Sequence, residues 1–567
     1  MIKGLIIFLS LILIIKAKFL DNLDRTFSSG DNKVLEVSIT ISDEDYNKIV
    51  ECVQVSPMEV FQNNAKEHEA VANITITDND KVKSFPGSKL KTSGNFSKSF
   101  TKPGFNIELS EKYKQRKIFR LRTDSSDVSH IRQKVVCDIA NRVGLPSIQS
   151  TFVRLTINGK LFGLFGLMDS LKPYNIKRMY NTKTDKKDLK LIQCKDMGFR
   201  FTSDTVNICS SDGGDESAFE EFKQFVAEVE KANSLEDLEK IMNVDIFLKY
   251  FALEWVIGSF DHMLVLGHNF YFYKNEINNK WDVIYYDFDN TLGQAQRVDW
   301  AWSSGKNQGV EDYTTLTFEE FTDNQRIFDI AVNKDDTRFK KNLKELLTFG
   351  YNPVLLNEHI DDLKSYISPY VKEEYTPING EYPGRLNKLG YPLDGLTYES
   401  YELNSEYGTV GHQEMMGELR VPGIKAWIRD SFESVCAQYG FDKEEILKDT
   451  VTLAPTSFFT KIKNGISPYD GSIIPNNNND DDECWASEQG YDCCESCNVV
   501  FVEENGQKWG VENNQWCGIQ DSVCEAEEDV CQSSDYGCCE TCNQYYVDYT
   551  GRYGYENGQW CLVKNTC

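Results

Sequence analysis

Twelve of the 17 cysteines in this 567-residue chain lie beyond residue 483, and they form the same pattern twice. The first stretch runs from Cys484 to Cys524 and the second from Cys531 to Cys567, with six cysteines in each. The adjacent pair Cys493-Cys494 matches Cys538-Cys539, Cys497 matches Cys542, and Trp516-Cys517 matches Trp560-Cys561. A unit of ~40 residues buries too little apolar surface to stand on its core alone, so cross-links must hold it. Zinc is the other use of clustered cysteines. Adjacent cysteines and the lack of histidine in either copy favour disulfides instead. The expected half-cystines are Cys484, Cys493, Cys494, Cys497, Cys517, Cys524, Cys531, Cys538, Cys539, Cys542, Cys561 and Cys567. Their pairing is open, because spacing alone does not choose among the connectivities.

The modules are taken as 484–524 and 525–567, after a linker at 466–483 whose NNNNDDDE run has nothing to bury. What precedes them, 18–465, is long enough for a large α+β domain. The net charge of −27 disfavours nucleic acid as a partner. The opening MIKGLIIFLSLILIIKAKF has a lysine, an apolar run and a small residue at Ala17, the pattern of a secretory signal peptide over 1–17. No later window reaches the ~20 apolar residues of a membrane span, so a secreted, extracellular protein is expected. Glycosylation sequons stand at Asn73 and Asn95. The five upstream cysteines are odd in number, so at least one is unpaired within the domain.

Both modules are rich in aromatics, which on a stapled scaffold suit a binding face. Trp516 and Trp560 are expected in the small cores. Tyr491, Trp509, Tyr536 and Tyr553 are expected on the partner-binding surface. The C-C-x-x-C and W-G-x-E-N-x-x-W-C patterns, the latter written Trp509-Gly510-Val511-Glu512-Asn513 in the first copy and Tyr553-Gly554-Tyr555-Glu556-Asn557 in the second, closely resemble fungal cellulosome dockerins, also described as carbohydrate-binding family 10. The resemblance implies docking to a cohesin- or scaffoldin-like scaffold protein, with two copies supplying avidity. Cellulose is the rival ligand.

In the large domain, LEVSITISDEDYNKIVECVQV reads as a strand and a helix capped at Asp43. VANITIT (71–77) and GFNIELS (104–110) alternate as strands, with a polar loop between them. SDVSHIRQKVVCDIANRVG reads as a helix capped at Ser126 or Asp127. Residues 150–169 read as a hairpin turning at Asn158-Gly159. Residues 217–257 are helical. After them, a loop presents Asp261, Asn269 precedes a strand FYFYKN, and WDVIYYDFDNTLG ends a second strand at Asp287 and Asp289. The stretch 345–460 reads as supporting helix.

A helix, an acidic loop, a hairpin and a terminal acid follow the order of a protein-kinase catalytic centre. The usual histidine-arginine before the base and the glycine after Asp287-Phe288 are missing. LRTDSSDVSHIRQKVV, LTINGKLFGLFGLMDSL and FDHMLVLGHNFYFYKN…WDVIYYDFDNTLG together resemble the spore-coat protein H (CotH) kinase family. The resemblance implies an atypical, two-lobed kinase-like fold using ATP and Mg2+. It implies Asp261 as catalytic base, and Asp287 as metal ligand with Asn269 and Asp289 beside it. Trp281 is then the adenine-stacking residue, and Lys102, after Gly94 and Ser97, the phosphate lysine. Asp169 and Gln193 stand where the family often has glutamate and lysine.

The expected function is phosphoryl transfer from Mg-ATP to Ser or Thr of a protein substrate by a secreted enzyme docked on a scaffold. A catalytically inactive structural or adhesive component is the alternative. DFDNT also fits the first motif of haloacid-dehalogenase-type phosphatases, and paired acids serve polysaccharide-degrading enzymes.

Overall fold

The computed structural model describes residues 18–474 apart from 22, 24, 26, 63–65, 94–95, 124, 213–215, 295–309, 311, 324, 392–395, 415–416 and 449–456; beyond 474 it describes 486, 491–494, 497–503, 507–512, 515–519, 539, 546–548, 551–556 and 559–562. The expected signal peptide, Asn95 and Tyr536 lie outside the described residues, as do Cys484, Cys524, Cys531, Cys538, Cys542 and Cys567. The chain forms two compact units, 1–474 and 475–567.

Seven strands of the larger unit close into a barrel: β1 (Val34–Thr40), β2 (Glu69–Asp78), β3 (Lys81–Ser93), β4 (Gly104–Tyr113), β5 (Arg116–Arg122), β6 (Ser150–Ile157) and β7 (Lys160–Asp169), in the order β1-β2-β3-β4-β5-β7-β6. Period-two patterning drives the closure. Ala70, Ala72, Ile74 and Ile76 of β2 face inward, as do Phe105, Ile107 and Leu109 of β4 and Val153, Leu155 and Ile157 of β6. These side chains fill the interior, and β6 returns parallel to β1 to seal it. Asn158 and Gly159 adopt φ of 49° and 73° between β6 and β7, as a tight hairpin requires.

Two local expectations change here. The polar stretch from Lys89 to Ser93 is strand, not loop, because Leu90 faces the barrel core opposite Ile107. The helix α1 (Asp43–Cys52) is capped by Ser42, whose hydroxyl accepts from Asp45 N at 3.0 Å, while Asp43 is its first residue.

Beside the barrel, α2 (Arg132–Arg142) is buried on every face, polar side included. Its carboxylate cap comes from outside the helix. Asp127 accepts from Ser129 N and Arg132 N, both at 2.8 Å, while Ile131 occupies the N-cap position. Helices α3 (Glu216–Lys231) and α4 (Val244–Val256) pack on an antiparallel sheet ordered β11-β10-β8-β9. Its strands are β8 (Leu191–Cys194), β9 (Ser210–Ser211), β10 (Phe270–Lys274) and β11 (Trp281–Tyr285), with Cys194 and Cys209 joined by a disulfide. Cys52, Cys137 and Cys436 carry free thiols, in line with the odd upstream count.

The long helix α5 (Pro353–Glu374) and α6 (Ile424–Tyr439) complete the layers, with a hairpin of β12 (Val410–Glu414) and β13 (Gly417–Val421) where helix was expected. The barrel and the helix-covered sheet belong to one compact unit. That unit runs nine residues past the expected boundary at 465. Ser467 N donates back to Ser472 O, and the Tyr469 hydroxyl donates to Asp282 Oδ2 at 2.5 Å. Asp282 is buried, and burial pushes its carboxyl up to about 6. Tyr180 and Asn243 also donate to it, at 2.8 and 2.7 Å.

In the smaller unit, the first module is a four-stranded sheet of β14 (Asp492–Cys493), β15 (Phe501–Val502), β16 (Lys508–Glu512) and β17 (Gln515–Ile519), ordered β14-β17-β16-β15. The second module shows β18 (Tyr546–Asp548), β19 (Gly551–Glu556) and β20 (Gln559–Leu562). Cys494–Cys517 and Cys539–Cys561 are equivalent disulfides in the two copies, and Cys493 and Cys497 each form a disulfide with another cysteine. Each disulfide backs onto the glycine across the hairpin, Gly510 opposite Cys517 and Gly554 opposite Cys561. A Cβ on Gly510 would lie 2.6 Å from Cys494 Sγ.

The two tryptophans of the first module exchange their expected places. Trp509 is buried, edge-on to Tyr491 at 5.0 Å, and its Nε1 donates to Glu503 Oε1 at 2.9 Å. Trp516 is 47% exposed. β16 is an inner strand with Gly518 opposite Trp509, which leaves room for an indole. Trp516 stands at the start of β17, by the turn. Tyr491 is exposed, as expected. Tyr553 lies in β19 opposite Leu562.

Candidate active site

The hairpin β10–β11 ends where α4 and the loop after it converge. Register pairs Phe270 with Tyr285, and Tyr286 N donates to Asn269 O at 3.1 Å. Asn269 and Asp287 therefore stand at one end of the sheet. Asn269 adopts φ 63° and Asp287 φ 73°, left-handed conformations that cost a non-glycine residue of order 1–3 kcal/mol. The turn at Asp287 sends Phe288 into the interior, where its N–H donates to Gln133 Oε1 on α2 at 2.7 Å.

The loop carrying Asp261 is held from beneath by Glu254 on α4. Glu254 accepts from Leu264 N at 2.7 Å, Met263 N at 3.2 Å and the Tyr285 hydroxyl at 2.9 Å. His262 is stacked on Tyr285, rings 4.7 Å apart, and burial lowers its basicity to about 4, so it is neutral. In that form Nε2–H donates to Tyr286 O at 2.8 Å, and Nδ1 accepts from the Ser259 hydroxyl at 2.7 Å.

Asp261 itself is buried apart from its edge. His268 Nε2 lies 3.1 Å from its Oδ1, and Asn290 Nδ2 donates to its Oδ2 at 2.9 Å. Burial disfavours a charged His268, but the hydrogen bond and charge of Asp261 outweigh it and raise its basicity. Asn290 N in turn donates to Asp289 Oδ1 at 3.1 Å. Asp287 and Asp289 share one cation: Arg122 Nη2 sits 2.5 Å from Asp287 Oδ1 and 2.6 Å from Asp289 Oδ2. Ser126 Oγ donates to Asp289 Oδ2 at 3.3 Å. Burial would raise both carboxyls. Arg122 and Arg120 hold Asp287 well below the carboxylate range, and burial with the Asp287 charge pushes Asp289 up.

The structure thus gathers Asp261, Asp287 and Asp289, linked through Asn290 and Arg122, at the sheet end where Asn269 stands. The donors are hard oxygens of the kind Mg2+ prefers. Arg122 is a stand-in cation between two of them, so the fold already concentrates negative charge at that point. When bound there, Mg2+ would supply neutralisation of phosphate charge. Asp287 and Asp289, with Asn269 beside them, would hold it.

Two expected residues stand elsewhere. Trp281 starts β11, six residues and ~20 Å of strand from Asp287. It is buried against Phe225, stacked at 5.3 Å, and Phe222 of α3, so it is core in this structure and not an open adenine platform. Lys102 is 1% exposed. Its Nζ donates to Glu374 at 2.7 and 2.8 Å and to Leu164 O at 2.9 Å, which makes it the buried partner of α5, not a phosphate ligand. Asp169 finds arginines in place of lysine, pairing with Arg116 and, at 3.3 Å, with Arg178. Gln193 donates to the Tyr286 hydroxyl at 3.2 Å.

Sequence reasoning missed Arg122, Ser126, Gln133, Glu254, His268 and Asn290. Asn290 lay inside the DFDNT stretch. Arg122, Ser126 and Gln133 lay in LRTDSSDVSHIRQKVV and His268 in FDHMLVLGHNFYFYKN, stretches quoted for the family resemblance, and Glu254 in a helical run; none carried a signal for a role at this site. The sheet bearing Asp287 is antiparallel, which is not the parallel α/β setting of haloacid-dehalogenase-type phosphatases.

Comparison with known proteins places the large domain and the two modules in families. The family described as CotH kinase protein matches residues 90–387, a span holding every residue of the candidate site described above. The family described as cellulose or protein binding domain matches 483–519 and 530–563. Over 273 residues the chain is 23% identical to Invasin CotH2 of Rhizopus delemar, covering 45% of this chain and 44% of that protein. Over 38 residues it is 60% identical to Mannan endo-1,4-beta-mannosidase A of Piromyces sp, covering 7% of this chain and 6% of that protein. The chain thus spans less than half the length of these curated relatives. Among solved structures, the double dockerin from Piromyces equi Cel45A shares 43% identity, covering 15% of this chain and 88% of that one, with a TM-score of 0.08. The chain belongs to the CotH kinase protein family and ends in two modules of the dockerin type.

Proposed function

We propose that this protein is a secreted Mg-ATP-dependent kinase, anchored to a fungal cellulosome-type scaffold through its two C-terminal modules. One observation carries the enzymatic part: Asp261 and the Asp287–Asp289 pair, from separate segments, join through Asn290 in a single cluster at the sheet end. Asp261 would accept the hydroxyl proton of a Ser or Thr in a protein substrate, aimed by His268 and Asn290. Asp287, Asp289 and Asn269 would hold Mg2+ on the nucleotide. The Trp281 and Lys102 positions leave adenine and phosphate recognition to other groups; Arg122, paired with Asp287 and Asp289, and Arg120, whose charge also acts on Asp287, are cations at hand.

The docking part draws on the module surface. Tyr491 and Trp516 are exposed, as are the four consecutive apolar residues Val499, Val500, Phe501 and Val502. An exposed apolar strip on a small stapled module suits a protein partner, with cellulose as the second candidate. Among the described residues no helix is long and apolar enough to cross a membrane.

The test is transfer of the ATP γ-phosphoryl group to casein or to the protein itself. Loss of at least a hundredfold in Asp261→Asn is expected, since a positioned base contributes about that much. Undiminished transfer in that variant removes Asp261 as base. A second reading, an inactive adhesive component, is favoured by the relatives named invasins. Calorimetry with ATP and Mg2+ separates the two, because an adhesive component gives no nucleotide heat.

A further inference from the structure

We infer that Arg122 is a built-in competitor for the cation position, so that its guanidinium and a divalent cation occupy the Asp287–Asp289 pair in turn. The inference rests on the reading above that these acids hold the metal. A single nitrogen, Arg122 Nη2, bridges the two carboxylates at 2.5 and 2.6 Å. A divalent cation held by the same two carboxylates would need the place that this nitrogen fills. Two cations cannot share it, because their repulsion in a buried setting far exceeds that in water.

The surroundings suit an exchange. Asp289 keeps Ser126 Oγ and Asn290 N when the guanidinium leaves, so its carboxylate stays aimed. The displaced guanidinium then meets the polyphosphate that accompanies the metal, and its planar fork matches phosphate oxygens. Metal without nucleotide must displace Arg122 with no phosphate to receive it. Metal with nucleotide provides the receiver. The site therefore discriminates against free cation and favours the metal–nucleotide complex.

Mn2+ binding to the full chain, followed by electron paramagnetic resonance without nucleotide, tests this. Arg122→Gln is expected to bind Mn2+ on the order of tenfold more tightly than wild type. Guanidinium at tens of millimolar, far below denaturing levels, is expected to reverse that gain and to leave the wild type unchanged. A variant that binds Mn2+ no more tightly than wild type overturns the exchange and leaves the acids as metal ligands. Absence of Mn2+ binding in both proteins, with and without ATP, overturns the metal reading as well. A readout on the wild type avoids dependence on the variant's folding: Arg122 should react faster with phenylglyoxal in Mn2+-saturated protein than in metal-free protein. An unchanged rate overturns the proposal.

Discussion

Single side chains separate support from contact in this molecule, and the two tryptophans of the first module show how. Trp509 is enclosed and hydrogen-bonded, whereas Trp516 faces outward. Trp509→Ala should cost ~3–5 kcal/mol of module stability, the usual loss for a buried aromatic. Trp516→Ala should change stability by less than ~0.5 kcal/mol and weaken docking instead. Tryptophan fluorescence during denaturant unfolding, set beside a scaffold-binding assay, checks both. Asp138 makes the corresponding case in the large unit. It is fully buried between Lys134 at 2.7 Å, Arg25 at 3.2 Å and His359 at 2.8 Å. Burial alone would raise its carboxyl, but Lys134 and Arg25 outweigh burial and depress it strongly. A depressed carboxyl contributes stability above its unfolded pKa of ~3.9, and that contribution is lost as pH falls toward the folded value. Asp138→Asn should therefore cost ~3–5 kcal/mol at pH 7, by stranding buried cations. The gap to wild type should narrow below about pH 4. Urea unfolding at pH 7 and pH 3 measures it.

At the scale of elements, the loop 287–293 is fastened by α2 at two points. Gln133 accepts from Phe288 N, and Arg132 donates to Leu292 O at 3.3 Å through both Nε and Nη2, while also reaching Asp127, Asn404 and Pro422. Gln133→Ala should lower stability by ~1–3 kcal/mol, the cost of leaving a buried N–H unpaired. It should lower phosphoryl transfer by more than that stability loss explains, because Asp287 sits one residue away. Thermal melts beside transfer assays compare the two. Gly510→Ala should destabilise the first module by ~1–3 kcal/mol through overpacking on Cys494, read as faster reduction of Cys494–Cys517 by dithiothreitol.

Elements also show what patterning could reveal. Alternation in VANITIT and GFNIELS, the Asn158-Gly159 turn and the FYFYKN–WDVIYY pair were legible because each signal is local. Barrel closure was not, since it depends on β6 meeting β1 more than a hundred residues away. Asp261 and Asp287 were legible through motif order. Arg122 and Gln133 were not, because a polar residue on a strand or helix reads as solvent-facing until a second layer covers it. For the cap of α2 the residue was legible and the geometry was not: Asp127 accepts from Arg132 N across a turn, while Ile131 holds the N-cap position. Trp281 and Lys102 were assigned by resemblance, and neighbouring aromatics and Glu374 claimed them for the interior.

For the whole molecule, duplication of the module is the feature with the largest expected effect. Two linked copies convert a second binding event into an intramolecular one, so removing one copy should weaken attachment to a multivalent scaffold by ~10²–10⁴. Attachment to an isolated single scaffold site should change far less. Surface plasmon resonance at high and low scaffold density distinguishes these cases.

The stretch from Ile466 to Ile474 gives the attachment a mechanical side. It folds back on itself and is pinned by Tyr469 to Asp282, near the start of β11, whereas Asp287 stands just past the strand's other end. Drag on a scaffold in flowing fluid would reach the large unit through that pin. The first bonds to yield would be those of Tyr469 and its neighbours, so residues 466–474 would peel away before any strain arrived at the acids.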